Sequence, residues 1–242
     1  MSEAAHPSAT GKNVRVLIVD SGVETSHPVF DGRRIRCWNF RRAAPVEERR
    51  GIDVLGHGTA VAAILCAFAP GARIESLRVL GGDLRASSSA VLSGLQWALD
   101  QRYDIINCSF GTPAAHHLEA YKRFVDRAFC RNVLVVSACN NFDFRKEEFP
   151  ACFPTVISTD FGRLQGLTIR RRRNQLVEFV CRGVSIEVAW KGGSWRQATG
   201  SSFAAPHLAA LVARIREVHP GWNACEMKAE LYRMATKNGD SR

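Results

Sequence analysis

The chain has 242 residues, a formal net charge of +10 and 46% apolar residues. That length suits one large domain with a sizeable core, and that composition excludes a chain too polar to fold. No apolar run is long enough to cross a bilayer as a helix, and no membrane partner is expected.

Residues 1–12 are small and polar and are expected to form a flexible N-terminal segment, followed by a single domain over 13–242. They lack a charged start with an apolar stretch behind it, so no secretory signal is expected and a cytoplasmic location is. Residues 14–20, Val-Arg-Val-Leu-Ile-Val-Asp, read as a buried strand stopping in the turn Asp20-Ser21-Gly22. Residues 27–50 read as a loop-rich stretch, with His27-Pro28, Asp31-Gly32 and a dense charged patch from Arg41 to Arg50. Gly56-His57-Gly58 opens a small-residue helix over 59–69, ended by Pro70-Gly71. A strand is predicted over 74–80, a helix over 87–102 and a strand over 104–108. Leu118, Tyr121, Val125, Ala128 and Phe129 follow helical spacing. Strands are predicted over 133–137 and 155–159, then shorter ones over 167–171, 176–181 and 185–190. Residues 191–194, Lys-Gly-Gly-Ser, read as a hairpin turn. Helices near 202–219 and 222–235 close the chain.

Strands alternating with helices predict an α/β fold: a doubly wound, mainly parallel central sheet flanked by helices. Ligands in such sheets sit beyond the carboxyl ends of the strands, where Asp20 and Asn141 fall. The eight cysteines form no C-x-x-C pair, and most lie in apolar runs. They are expected to be reduced, buried thiols rather than a disulfide framework or a zinc site, and no metal or cofactor is expected. The densest basic run, Arg170 to Arg173, is read first as a solvated face. Its functional readings are attraction of an acidic peptide or of nucleic acid, and the lack of interleaved aromatics argues against the latter.

Three surroundings carry chemistry. A hydrophobic strand delivers Asp20 into a Ser-Gly turn, where a shielded carboxylate can fix an imidazole tautomer. His57 stands between two glycines at a helix start. Ser201 and Ser202 stand at the mouth of a helix built from small residues, whose free N–H groups and dipole suit a developing oxyanion.

Asp20-Ser21-Gly22-Val23, His57-Gly58-Thr59 and Gly200-Ser201-Ser202-Phe203-Ala204-Ala205-Pro206 resemble the three signature blocks of the subtilisin-like serine proteases. The order Asp, His, Ser is also that of the same family. The resemblance runs from about Val14 to Met234. It implies a serine endopeptidase acting through an acyl-enzyme, with Ser202 as nucleophile in preference to Ser201, His57 as general base and Asp20 as its orienter. Val133 to Asn141 resembles the strand delivering the oxyanion-hole asparagine. Alignment favours Asn141 over Asn140, and the family's glycine before that asparagine is missing here.

The same resemblance implies that a peptide substrate pairs with two edges, Ser109-Phe110-Gly111 and Arg85-Ala86-Ser87, with Ala138, Cys139 and Asn140 along the S1 wall. Glu148 aligns with the S1 floor, where a carboxylate would favour Lys or Arg before the cut; the alternative is a solvated loop acid. Because the helix after His57 runs directly into residues 69–71, the loop that binds a tight calcium in many relatives is expected to be missing. The expected partner is a peptide or protein substrate, with leader removal from an acidic precursor peptide as a finer role. The rival classes are a catalytically weak or inactive peptide-binding module of the same fold and, less favoured, a nucleic-acid-associated protein.

Overall fold

The computed structural model describes residues 8–41 and 44–237. Alternation along its first strand, β1 (Arg15–Asp20), decides the layering. Val16 and Ile18 point into one apolar cluster and Leu17 and Val19 into another. A strand buried on both faces reads as the continuous apolar run that the sequence carries.

The chain continues through β2 (Arg36–Arg41), β3 (Ala44–Glu48), α1 (His57–Phe68), β4 (Arg73–Arg78), α2 (Ser88–Asp100), β5 (Ile105–Cys108) and α3 (Leu118–Cys130). Then come β6 (Leu134–Ala138), β7 (Ile157–Gly162), β8 (Arg170–Arg171), β9 (Phe179–Arg182), β10 (Ile186–Trp190), β11 (Ser194–Ala198), α4 (Ser201–Val218) and α5 (Ala224–Lys237). The main sheet has the order β3-β2-β4-β1-β5-β6-β7-β9-β8. Every pairing from β2 to β9 is parallel, and the edge strands β3 and β8 are antiparallel. Residues of α1, α4 and α5 share the first cluster, and those of α2 and α3 share the second. This is the doubly wound arrangement that the strand–helix alternation predicts. The strand order reverses at β1, between β4 and β5, so the crevice beyond its carboxyl end is where a ligand site belongs.

Three expectations are corrected. Residues 27–50 are not all loop: β2 and β3 form a ribbon on the sheet edge. Its charges belong to the edge itself, with Arg36 paired to Glu47 and Arg78 of β4 paired to Glu48. Second, residues 1–7 of the expected flexible segment lie outside the described residues, but its described part is fixed. The backbone N–H groups of Thr10, Gly11 and Lys12 all donate to Glu217 Oε2, at 2.7, 2.7 and 2.9 Å. Third, the basic run is more than a solvated face. Arg172 pairs with Asp160 at 2.5 Å and lies over the Phe144 ring, while Arg171 lies over Tyr232.

All eight cysteines are free, and only Cys130 and Cys225 are exposed. Burial pushes the thiols of Cys66 and Cys152 up to about 11 and those of Cys37 and Cys181 up to about 12.

Candidate active site

Asp20, the last residue of β1, is fully buried. His57, the first residue of α1, turns its Nδ1 onto that carboxylate, 2.8 Å from Oδ1 and 2.9 Å from Oδ2. The Ser21 N–H also donates to Asp20 Oδ1, at 2.7 Å. With Nδ1–H committed to Asp20, Nε2 is the nitrogen left for proton transfer.

Two glycines make the approach of these elements feasible. Gly56 precedes His57 at a φ of 119°, and a Cβ there would also strike the Trp190 ring at 2.6 Å. A Cβ on Gly58 would come 2.0 Å from the Gly22 carbonyl oxygen, so the first turn of α1 rests directly on the turn after Asp20.

Burial pulls the His57 pKa down. The charge and hydrogen bond of Asp20, together with the nearby Asp53 charge, more than reverse this, so the imidazole lies above its ordinary value. The Arg196 charge opposes them.

The sequence did not single out Asp53, which is buried beside this pair. Its Oδ1 accepts from the Ser21 hydroxyl at 2.8 Å and from the N–H groups of Leu55 and Gly56 at 2.9 and 2.7 Å. Its Oδ2 accepts from the Thr59 N–H and hydroxyl at 2.8 and 2.6 Å. One carboxylate therefore caps α1 and locks the Ser21 turn to the His57 helix start.

At the start of α4 the two serines differ. Ser201 is buried; its hydroxyl donates to the Cys139 carbonyl at 2.6 Å and lies 2.9 Å from Asn141 Oδ1, which also accepts the Ser201 N–H at 2.7 Å. Ser202 is half-buried. Its Oγ lies 3.6 Å and Asn141 Oδ1 lies 3.2 Å from where a Cβ on Gly200 would sit. The next residue, Phe203, puts its ring 5.2 Å from the His57 ring, so the α4 start and the imidazole share one crevice. The paired asparagines separate in the same way. Asn140 is a turn residue, its Oδ1 accepting from the N–H groups of Phe142 and Asp143 at 2.9 and 3.0 Å. Asn141 is exposed, with Oδ1 held by Ser201 and Nδ2 as the open end of its amide.

Asn140 also donates to Glu148 Oε1 at 2.8 Å. Glu148 Oε2 lies 2.7 Å from where a Cβ on Gly111 would stand. The carboxylate thus bridges the expected substrate edge at Gly111 and the expected S1 wall at Asn140, and it borders a cavity of about 140 Å³ shared with Cys139, Ala151 and Val177. Burial raises its pKa, and the Asn140 hydrogen bond only partly offsets this. The solvated loop acid was the other reading; Glu148 is half-buried instead.

The remaining expected binding residues offer backbone rather than side chains. Ser109 is buried, accepting from Asn107 Nδ2 at 2.9 Å, and Phe110 packs on the second core cluster. Ala138 and Cys139 are buried, and the Cys139 carbonyl is taken by Ser201. Ser87 caps α2, and Arg85 closes a local turn through its carbonyl to the Gly81 N–H. Of 85–87, only Ala86 keeps both backbone groups uncommitted among the described residues. Helix α1 passes into β4 through residues 69–72. No group of three or more His, Cys, Asp or Glu side chains is arranged to hold a metal among the described residues.

A buried Asp–His pair at the carboxyl edge of a parallel sheet, in one crevice with a helix start that carries a serine, defines a class of α/β proteins. Residues 11–242 match the subtilase family of S8 peptidases, and the chain belongs to that family. It is 29% identical over 248 aligned positions to Subtilisin NAT of Bacillus subtilis subsp. natto, covering 96% of this chain and 63% of that protein. It therefore spans less than two thirds of that relative. Subtilisin of Bacillus pumilus is 29% identical, with 96% of this chain and 87% of that protein covered. Sphericase shares the fold, with a TM-score of 0.78, 22% identity, and 94% of this chain and 85% of that one covered. So does a cold-adapted subtilisin-like serine proteinase, with a TM-score of 0.75, 23% identity, and 93% and 83% covered.

Proposed function

We propose that the chain is a serine endopeptidase. Ser202 attacks the scissile carbonyl while His57 Nε2 takes its proton. Asp20 holds the imidazole and stabilises its charged form. His57 then protonates the leaving amine, and water resolves the acyl-enzyme. The oxyanion receives the Asn141 Nδ2–H and the Ser202 N–H at the positive end of α4. The observation that carries this reading is the buried two-oxygen grip of Asp20 on His57 Nδ1, which dedicates the other nitrogen to chemistry. The involvement of Ser201 with Cys139 and Asn141 supports Ser202 as the nucleophile.

The test is labelling by a fluorophosphonate together with cleavage of internally quenched peptides. Wild type should label and cleave. Ser202→Ala should not label and should lose on the order of 10⁶-fold in kcat. Labelling that persists in Ser202→Ala would falsify the assignment; a wild type that neither labels nor cleaves is a peptide-binding module.

Within that reading, Glu148 selects Lys or Arg before the cut, supported by its half-buried carboxylate between Gly111 and Asn140. The finer role is maturation of an acidic precursor inside the cell, supported by the +10 charge and by eight free thiols. Identification of the co-encoded peptide that the enzyme trims tests that role.

A further inference from the structure

The hairpin of β10 and β11 lies beside the imidazole. Its register sets Val188 opposite Arg196 and Ile186 opposite Ala198. Ile186, Val188 and Ala198 form one apolar cluster with Ala60 and Ile64 of α1 and with Phe203, the residue after Ser202. Arg196 stands on that same face, two residues from Ala198 and further from the core, where the row emerges into solvent. Its guanidinium carbon lies 4.0 Å from the centroid of the Trp190 ring, and that ring is packed against Gly56, the residue before His57. A stack of Gly56, Trp190 and Arg196 thus runs outward from the imidazole. The Arg196 charge is felt at His57 itself.

This cation has no carboxylate within ion-pair reach among the described residues. Glu187 pairs with Gln197 in the register and so lies on the other face of the hairpin. Glu24 is occupied by the Gly192 N–H at 2.7 Å. Lys191 adds a second positive charge at the hairpin tip. A ring-stacked guanidinium keeps its edge N–H groups in a fixed fork suited to a carboxylate, and the stacking lowers the entropy lost on pairing.

The acyl half of a bound peptide is assigned to the edges at 85–87 and 109–111. The leaving half must pass the imidazole that protonates its amine, and the hairpin flanks that imidazole. The geometry points to Arg196 as the specificity-determining residue for an acidic side chain on the leaving-group side of the scissile bond. This rests on the peptidase reading and gives it a substrate class: peptides with Asp or Glu shortly after the cut.

The experiment uses internally quenched peptides of one acyl-side sequence, with Asp, Ala or Lys placed in turn at the first positions after the cut. The ratio of kcat/KM for Asp over Lys is taken within each enzyme, so any general loss of activity cancels. Wild type should favour Asp by about 10-fold at one position. Arg196→Ala should bring the ratio near one, and Arg196→Glu should invert it. The wild-type preference should also shrink between about 50 mM and about 500 mM salt, a readout that needs no variant. A ratio near one in wild type, or an Asp preference kept in both variants, overturns the inference. Fluorescence anisotropy of the same intact peptides on Ser202→Ala, with and without Arg196→Glu, reads the charge preference without turnover. Acidic peptides that bind through Arg196 but are cut by no form of the chain would sink the peptidase reading and, with it, the leaving-group side, leaving Arg196 only as a contact for acidic peptides.

Discussion

The Ser201 N–H donates to Asn141 Oδ1 at 2.7 Å, and the Ser201 hydroxyl lies 2.9 Å from the same oxygen. An amide gripped by its oxygen must present its nitrogen on the opposite side. Ser201 thereby fixes which end of Asn141 faces the crevice, although the two residues are 60 positions apart. Asn141→Ala is expected to lower kcat by about 100- to 1,000-fold with little change in KM, because the donor acts on the oxyanion rather than on the bound substrate. Ser201→Ala keeps the N–H contact and should cost less, about 10-fold in kcat. Separate determination of kcat and KM for both variants checks this; an effect confined to KM would contradict the role.

Asp53 satisfies buried donors from Ser21, Leu55, Gly56 and Thr59. Removing it leaves several of them without partners, each costing about 1–3 kcal/mol. Asp53→Ala is therefore expected to lose about 3 kcal/mol or more of stability, read from the shift of a urea midpoint at constant slope. Thr59→Val removes one hydroxyl, which donates to Asp53 and accepts from the Glu24 N–H at 3.0 Å, and should cost less, about 1–2 kcal/mol. Equal losses in the two variants would mean that Asp53 does not organise the turn.

The site was legible where one local signal sufficed. Strand β1 and Asp20 showed as an apolar run ending in a Ser-Gly turn, and His57 as a residue flanked by glycines. The hairpin turn at 191–194 showed in its paired glycines. Choices between neighbours were not settled by such signals. Ser201 and Ser202, or Asn140 and Asn141, have the same chemistry, and only their hydrogen-bond partners in the folded chain tell them apart. The β2–β3 ribbon was hidden by its charges, which pair across strands rather than mark a loop. Asp53 left one trace, an acid three residues before the glycine that opens α1, a spacing suited to capping.

The raised pKa of His57 fixes the direction of the pH dependence. Proton abstraction needs the neutral ring, so kcat/KM should fall on the acid side with a midpoint above about 6.5, the ordinary histidine value. Arg196 holds that midpoint down, and Arg196→Ala should move it to higher pH. A shift to lower pH would show that the Arg196 charge is not sensed at the imidazole. In stability the sign is the reverse of that in activity. A group whose folded pKa is raised stabilises the fold below its unfolded value, and that contribution is lost as pH rises through the folded value.

The specificity proposed for Glu148 would come with a cost in stability. Its carboxylate is half-buried, and burial lifts its pKa above the ordinary glutamate value, so the ionised form is disfavoured in the empty site. A Lys or Arg side chain before the cut would supply the missing counter-charge. Glu148→Gln keeps an acceptor for Asn140 and removes only the charge. It should lower kcat/KM for a substrate with Arg before the cut by about 10- to 100-fold and leave a substrate with Phe there unchanged or improved. The same variant should melt at a higher temperature than wild type at neutral pH. Ionisation of Glu148 opposes folding once pH has risen through its folded pKa, and glutamine does not ionise. The gap should close in acid below about 4, where both side chains are neutral. Retention of an Arg preference in Glu148→Gln would return this carboxylate to the role of a loop brace for Asn140. A melting gap that did not close in acid would show that its stability effect is packing rather than charge.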